Sequence, residues 1–248
     1  MKIIFLGTNG WYSTKTGNTI CTLVDTRNYY IVFDAGDGIY KLNKYAKKNK
    51  PIYLFLSHVH LDHIIGFHLL NALNYRGKFH IVLKKSDREK LENIINHPYT
   101  KSLKDQNFSV IIHELPEKKS NTPFPVTHKK LFHIDNSTGF RIEVDGKKIT
   151  YCCDTGKCKN DFILSKDADL LIHECSFNNN ASAIGKWGHS NSIYAAGLAR
   201  KARVKKLALT HFSPNEHVSM KDREKAGQVA KKIFKNTFTA RDNMIINI

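Results

Sequence analysis

Seven consecutive residues, Ser57-His-Val-His-Leu-Asp-His63, carry three imidazoles and one carboxylate, at His58, His60, Asp62 and His63. Imidazole nitrogen and carboxylate oxygen together suit zinc, and also iron, manganese or nickel. Burying such a group without partners would cost several kcal/mol. Four potential ligands this close together can surround two metal ions. Ions held in this way lower the pKa of a bound water towards neutrality, which is the chemistry of hydrolysis.

A cluster of this kind needs a rigid mount. The run Ile52-Tyr-Leu-Phe-Leu56 is apolar and β-prone between Pro51 and Ser57, so it reads as a buried strand. Ile64 to Leu73 has apolar residues at helical spacing. The cluster is thus expected in a strand-to-helix turn at the strand's carboxyl end, where α/β sheets commonly hold ligands.

Catalytic zinc usually takes three protein ligands and leaves a position for water, so a two-metal site needs further donors from loops of the same rim. Three candidates fit. His133 closes the strand-like Lys130-Leu-Phe-His133, and Asp154 follows Ile149-Thr-Tyr-Cys-Cys153 and precedes Thr155-Gly156. His211 closes Lys206-Leu-Ala-Leu-Thr-His211. His68, His80, His97, His113, His128 and His217 read as surface or packing residues, and Cys153, beside Asp154, is a weaker metal candidate.

The remaining pattern supplies a scaffold. Early strands are expected at 2–6, 18–25 and 29–33, with a basic helix after Asp34-Ala-Gly-Asp-Gly38 running to about Lys48. Ser86 and Glu89 have the spacing of a capping box for a helix towards Asn96, which Pro98 would stop. Strands follow at 108–113, 130–134, 139–144 and 147–152, with Asp145-Gly146 as a hairpin turn. Strands at 169–173 and 206–210 alternate with helices at about 190–203 and 221–234, and a last strand falls at 243–247. This order suits an α/β (α+β) fold in which two mixed sheets pack face to face with helices outside, over a single domain spanning 1–248.

Composition sets outer bounds. At 248 residues, with 41% hydrophobic and 25% charged residues, the chain has the makeup of a globular protein. It has no apolar stretch long enough to span a bilayer. The opening Met1-Lys-Ile-Ile-Phe-Leu-Gly-Thr8 reads as a first strand, not a signal peptide, so a cytoplasmic location is expected. Five cysteines, an odd number without Cys-x-x-Cys pairs, read as reduced thiols. The formal net charge of +17 favours encounters with polyanions, and so a phosphate-bearing or nucleic-acid partner, without identifying one.

The chain resembles the metallo-β-lactamase-fold hydrolases, and within them the ribonuclease Z (tRNA 3′-processing endonuclease) branch and its phosphodiesterase relatives. The resemblance runs through Ile4-Phe-Leu-Gly-Thr8, Ile31-Val-Phe-Asp-Ala-Gly36, the His-x-His-x-Asp-His motif at 58–63, His133 with Gly139-Phe-Arg-Ile142, Asp154-Thr-Gly156 and Leu209-Thr-His-Phe-Ser213. Leu171-Ile-His-Glu-Cys-Ser-Phe177 and Gly188-His-Ser-Asn-Ser192 are similar to two further loops of the branch. One feature departs from it. Twenty residues separate His133 from Asp154, which leaves no room for the long basic arm that grips tRNA in that branch.

The resemblance implies an αββα sandwich and a pair of divalent ions, with zinc the first choice and manganese or iron open. His58, His60 and His133 would hold one ion, Asp62, His63 and His211 the other, and Asp154 would bridge them. It implies a phosphodiester substrate, RNA among the candidates, and a homodimer. Asp62 is a candidate to orient the attacking water. His189 is the candidate proton donor to the leaving group, with Glu174 holding it charged. Other readings of the same residues are tRNA 3′-processing itself, a lactonase or other ester hydrolase, and a non-enzymatic basic nucleic-acid-binding module.

Overall fold

The computed structural model describes residues 1–115, 122–135, 137–179 and 187–248. Its first half runs β1 (Lys2–Gly7), β2 (Cys21–Asp25), β3 (Tyr30–Phe33), a 3-10 turn (Asp37–Lys41), α1 (Leu42–Tyr45) and β4 (Ile52–Phe55). Next come α2 (Leu61–Ile64), 3-10 turns over Ile65–Ala72, β5 (Lys78–Lys84), α3 (Lys85–Ile94), a 3-10 turn at Leu103–Asp105 and β6 (Ser109–Leu115). The second half runs β7 (Val126–Lys130), β8 (Thr138–Val144), β9 (Lys147–Cys152), α4 (Lys159–Ser165), β10 (Leu170–Glu174) and α5 (Ser192–Lys201). It ends with β11 (Leu207–Thr210), α6 (Met220–Ile233), β12 (Thr237–Thr239) and β13 (Ile245–Asn247).

The strands form two mixed sheets, ordered β13-β1-β2-β3-β4-β5-β6 and β12-β11-β10-β9-β8-β7. In the first, β3 to β6 are parallel and β13, β1, β2 and β3 pair antiparallel. In the second, β9 to β12 are parallel and the β7-β8-β9 pairings are antiparallel. The central strands are buried on both faces, which is why strands such as Ile52-Tyr-Leu-Phe55 read as unbroken apolar runs.

Alternation sorts the side chains into three cores. Ile3, Phe5, Phe33, Phe55, Phe140, Tyr151 and Ile172 fill the layer between the sheets. Ile4, Leu6, Leu54, Phe67 and Leu91 face the helices over the first sheet. Leu171, Leu207, Ala195, Ala199 and Ala226 face those over the second. Three cores between four layers make the αββα sandwich. No helix among the described residues is long and apolar enough to cross a membrane.

Several local expectations shift. Strand β2 starts at Cys21, not at residue 18, because Thr14–Thr19 belong to a loop with its own bridges, Thr14 to Gly17 and Thr19 to Asn9. The segments 39–48 and 64–73 coil as short 3-10 and α turns instead of regular helices. Helix α3 has no capping box: Lys84 occupies the N-cap and Ser86 Oγ donates to Asp87. The capping box that does form joins Ser219 and Asp222 at the start of α6. The strand expected at 130–134 ends at Lys130, so His133 lies in the loop beyond it. Strands β5 and β12 and helix α4 are additions that the sequence pattern did not single out.

One buried cation ties this scaffold to the loop that precedes β2. Arg223 of α6 is fully buried. It donates to Thr8 Oγ1 at 3.0 Å, Thr16 O at 3.3 Å, Thr16 Oγ1 at 2.9 Å and Asn9 Oδ1 at 2.5 Å, and lies over the Phe212 ring. Burial lowers its pKa to about 10, with Asp242 opposing. Thr8 in turn donates to Asp242, which pairs with Lys41. Replacing Arg223 by Met would remove all four hydrogen bonds together. Urea unfolding should show a loss of about 3–5 kcal/mol, with Lys recovering only part of it because an ammonium cannot reach all four. A loss under 1 kcal/mol would show that the loop is held by other contacts.

Candidate metal centre and active site

The parallel strands of both sheets run to one rim, and five of them contribute side chains to it. β3 delivers Asp34, β4 the Ser57–His63 segment, β9 Asp154, β10 Glu174 and Ser176, and β11 His211. Asp34, Asp154 and His211 have φ of 56°, 55° and 52°, and Trp11, after β1, has 64°. Left-handed backbone at non-glycine residues costs of order 1 kcal/mol or more each and concentrates at functional sites. Here it falls at three residues, Asp34, Asp154 and His211, that follow strand ends at the rim. Glycine is required where the loops touch: a Cβ on Gly188, at φ 80°, would lie 2.4 Å from His133 Cα, and one on Gly10 2.5 Å from the His211 ring.

The seven expected metal donors come together. Ligand atoms of His58, His60, His133 and Asp154 lie within 4.8 Å of one another, as do those of Asp62, His63 and His211. Asp154 spans the two groups. Its Oδ2 is 3.5 Å from His58 Nε2 and 3.7 Å from His133 Nε2, and its Oδ1 is 3.4 Å from His63 Nε2 and 3.0 Å from His211 Nε2.

The outward nitrogen of every one of these imidazoles has a partner. His58 Nδ1 donates to Ser57 Oγ at 3.0 Å, His60 Nε2 to Asp135 at 2.6 Å, and His63 Nδ1 to Asp34 at 2.8 Å. His133 Nδ1 donates to Gly188 O at 3.3 Å, and His211 Nδ1 to Ser176 Oγ at 2.9 Å. This fixes each tautomer so that the inward nitrogen presents a lone pair, the arrangement typical of metal-bound histidine.

Lone pairs converging without a cation repel. His63 Nε2 and His211 Nε2 are 3.2 Å apart, and His60 Nδ1 and His133 Nε2 are 3.4 Å apart. The buried His58 Nε2 makes no hydrogen bond among the described residues. The neighbouring carboxylates call for positive charge at the same nitrogens, which protons on His63 and His211 would supply and metal ions would replace. Burial opposes charge on His211 and His63, yet the carboxylates of Asp154 and Asp62 override it, raising His211 to about 10 and holding His63 well above the ordinary imidazole value. Burial would raise Asp62 and Asp154, but the same histidines hold both carboxyls below the usual range. Burial keeps His58 and His133 neutral, with lowered pKa values. The chemistry of the donors therefore fits two divalent cations.

Glu174 and His189 form a second element of the same site. Glu174 is fully buried and accepts from the backbone N–H of Thr155 at 2.7 Å, Ser176 at 3.1 Å and Ser190 at 3.2 Å. It also accepts from His189 Nδ1 at 2.9 Å. Burial works against charge on both, and their mutual attraction wins, lowering the Glu174 pKa and raising that of His189. Glu174, His189 and His211 also lie close enough to share an ion. Four donated hydrogen bonds on the Glu174 carboxylate argue for an anchoring role instead. His189 follows Gly188 and precedes Asn191, whose side chain, not that of Ser190, caps α5.

Cys153, the weaker candidate, lies at the cluster: its Sγ is within 4.8 Å of ligand atoms of Asp154 and His211, it donates to Asp154 Oδ1 at 3.5 Å, and burial pushes its thiol pKa up. His80 pairs with His113 at 2.9 Å, away from the rim, and His217 packs on Phe212. Sequence reasoning passed over Asp34, Asp135, Ser176 and Tyr151 as contributors. Asp34 is the most consequential, since it accepts from His63, from Ser57 N–H and Oγ, and from Tyr151 OH at 2.6 Å. Its one legible signal was an aspartate ending an apolar strand ahead of Ala35-Gly36.

A cavity of about 540 Å³ opens over this cluster, lined by Trp11, His60, Asp62, His133, Asp154 and His189 among others. Trp11 N–H donates to Asp62 Oδ2 at 2.7 Å.

Comparison with known proteins places this geometry. Residues 29–212 match the family model described as a beta-lactamase superfamily domain. A ribonuclease Z from Sulfurisphaera tokodaii is 28% identical over 286 aligned positions, covering 97% of this chain and 96% of the relative. That alignment is longer than the chain's 248 residues, so the relative carries segments absent here. The probable metallo-hydrolase YhfI of Bacillus subtilis is 27% identical over 221 positions, covering 86% of this chain and 87% of that one. The solved structure of the human short-form tRNase Z (ELAC1) superposes with a TM-score of 0.79 at 25% identity, over 100% of this chain and 99% of that one. The YhfI structure gives 0.79 at 23% identity, over 99% of each chain.

Because Asp34 orients His63 and the motif's Ser57, Asp34→Asn should weaken divalent-ion affinity about 10- to 100-fold in a chelator competition, with the circular dichroism spectrum kept. Unchanged affinity would remove His63 from ion binding.

Proposed function

The chain belongs to the beta-lactamase superfamily of metal-dependent hydrolases, and from that premise we propose that it is a two-metal phosphodiesterase acting as one domain over residues 1–248. The observation that carries this reading is the paired donor set with one Asp154 oxygen turned to each group. His58, His60 and His133 would hold one ion, Asp62, His63 and His211 the other, and Asp154 both. Zinc suits this nitrogen-rich set best.

A phosphodiester is anionic and repels an attacking oxyanion. Two divalent cations supply the positive charge that offsets this, and they acidify a water. The protein's own groups do the rest. Asp62 meets His211 and the Trp11 N–H through Oδ2, and its other oxygen would orient the attacking water. The water oxygen, its proton lost to solvent, attacks phosphorus, and the bond from phosphorus to the leaving oxygen breaks. His189, kept charged by Glu174, would give its Nε2 proton to that oxygen. The four hydrogen bonds on Glu174 keep this donor in place.

Phosphodiester substrates are supported by the relatives named ribonuclease Z. The net charge of +17 favours anionic substrates, RNA included. tRNA 3′-processing itself is the second reading. The tight hairpin of β8 and β9 between His133 and Asp154 weighs against it, since no tRNA-gripping arm occupies that span. All five cysteines are free thiols, in keeping with action in the cytoplasm.

Zinc-loaded protein should hydrolyse bis(p-nitrophenyl) phosphate, and His189→Ala should slow turnover about 100-fold or more with metal content intact. His60→Ala should lose one of two ions by elemental analysis. Hydrolysis of a lactone with no phosphodiester cleavage would overturn the substrate class, and unchanged turnover in metal-replete His189→Ala would remove it as proton donor.

A further inference from the structure

Tryptophan is the side chain with most to gain from burial, and this chain has only two. Both line the cavity over the histidine cluster, and both are largely exposed, Trp11 at 65% and Trp187 at 57%. Trp11 does not simply hang from a loose loop. Its backbone is held in the left-handed region and its N–H is bound to Asp62. Its indole meets the Tyr12 ring edge-on at 5.2 Å, and the Tyr12 hydroxyl donates to Asn215. Four separate features thus hold an aromatic face out at the cavity mouth. Exposed Ile134 and half-buried Phe177 extend the same apolar wall.

The charged side chains on this wall, apart from the candidate ligands and His189, are Asp135 and Glu216. Asp135 accepts from His60, and Glu216 accepts from Asn178. A second phosphate drawn into the cavity would meet these carboxylates. An uncharged planar group would not, and every nucleobase offers such a face whatever its sequence. The cavity volume, about 540 Å³, lies in the range of sites for small molecules.

We propose that Trp11 and Trp187 form a stacking subsite for one unpaired nucleobase, so that the substrate is a nucleotide phosphodiester, or a frayed strand end, with its base on the indoles and its phosphate at the histidine cluster. This deepens the phosphodiesterase reading and rests on it. It sets the chain apart from an enzyme that recognises a folded RNA by its backbone, where a basic groove would be the determinant.

The two indoles are also the reporters, since tryptophan fluorescence of this chain comes from the subsite alone. Zinc-loaded full-length protein is titrated with adenosine 5′-monophosphate, ribose 5-phosphate and octyl phosphate, with inner-filter correction. Adenosine 5′-monophosphate should quench the emission and bind roughly 5- to 150-fold more tightly than ribose 5-phosphate, the span that single base-stacking contacts give. The ratio should collapse towards one in Trp187→Ala, read by competitive inhibition of bis(p-nitrophenyl) phosphate cleavage, and again in Trp11→Ala.

Equal affinity for the two phosphates in the unaltered protein would overturn the proposal, as would octyl phosphate binding as tightly as the nucleotide. Sedimentation showing that the substitutions dissociate a dimer while the base preference persists would assign the indoles to a second copy of the chain, and overturn it too. The binding arm needs no turnover. A base preference in a protein that cleaves no phosphodiester would sink the hydrolytic reading alone, and cleavage without preference would sink the subsite alone.

Discussion

Everything at the rim depends on where five imidazoles send their second nitrogen. Ser57, Asp135, Asp34, the Gly188 carbonyl and Ser176 each accept one N–H, and so each ring turns a lone pair towards Asp154. These acceptors sit on different elements: the ends of β3, β4 and β10, the loop after β7 and the loop before α5. The two sheets must therefore pack in one register before the site exists. The aromatic stack of Phe33 on Tyr151, 4.6 Å between ring centres, helps set that register. It also brings the Tyr151 hydroxyl to Asp34, so a core contact and a site contact are one feature.

The strain at the rim follows from the same requirement. A strand continuing straight would carry Asp34, Asp154 and His211 past the site. A left-handed residue at each place bends the chain, and the surrounding hydrogen bonds hold it there. Arg223 does the equivalent for the loop after β1, using four hydrogen bonds from one buried guanidinium to fix the segment that places Trp11 on Asp62. The donor cluster is preorganised by the fold, and metal ions entering it would add to an arrangement already made.

Much of this was legible because it is local. The motif at 58–63 carries four donors in one string, and Asp154 and His211 follow apolar runs that announce strand ends, while His133 lies in the loop beyond β7. What escaped depends on distance in the chain. Asp34 lies 29 residues from His63 and Tyr151 another 117 from Asp34, so no spacing connects them. Strand β5 hid because Lys78 and Lys84 frame a run containing His80, which stacks on Tyr53 instead of pointing to solvent. The register of β7 slipped because Leu131 packs on Leu164 and Gly139 in the core while the ladder itself stops at Lys130. The exposed tryptophans carried no pattern at all. Their meaning comes only from sharing one cavity.

The central claim is that seven side chains enclose two cations with Asp154 between them. Anomalous diffraction at the zinc edge, from crystals of the zinc-loaded protein, tests it directly. The account predicts two peaks, one among His58, His60 and His133 and one among Asp62, His63 and His211, each beside a different Asp154 oxygen. A single peak, or any principal peak remote from Asp154, would contradict it.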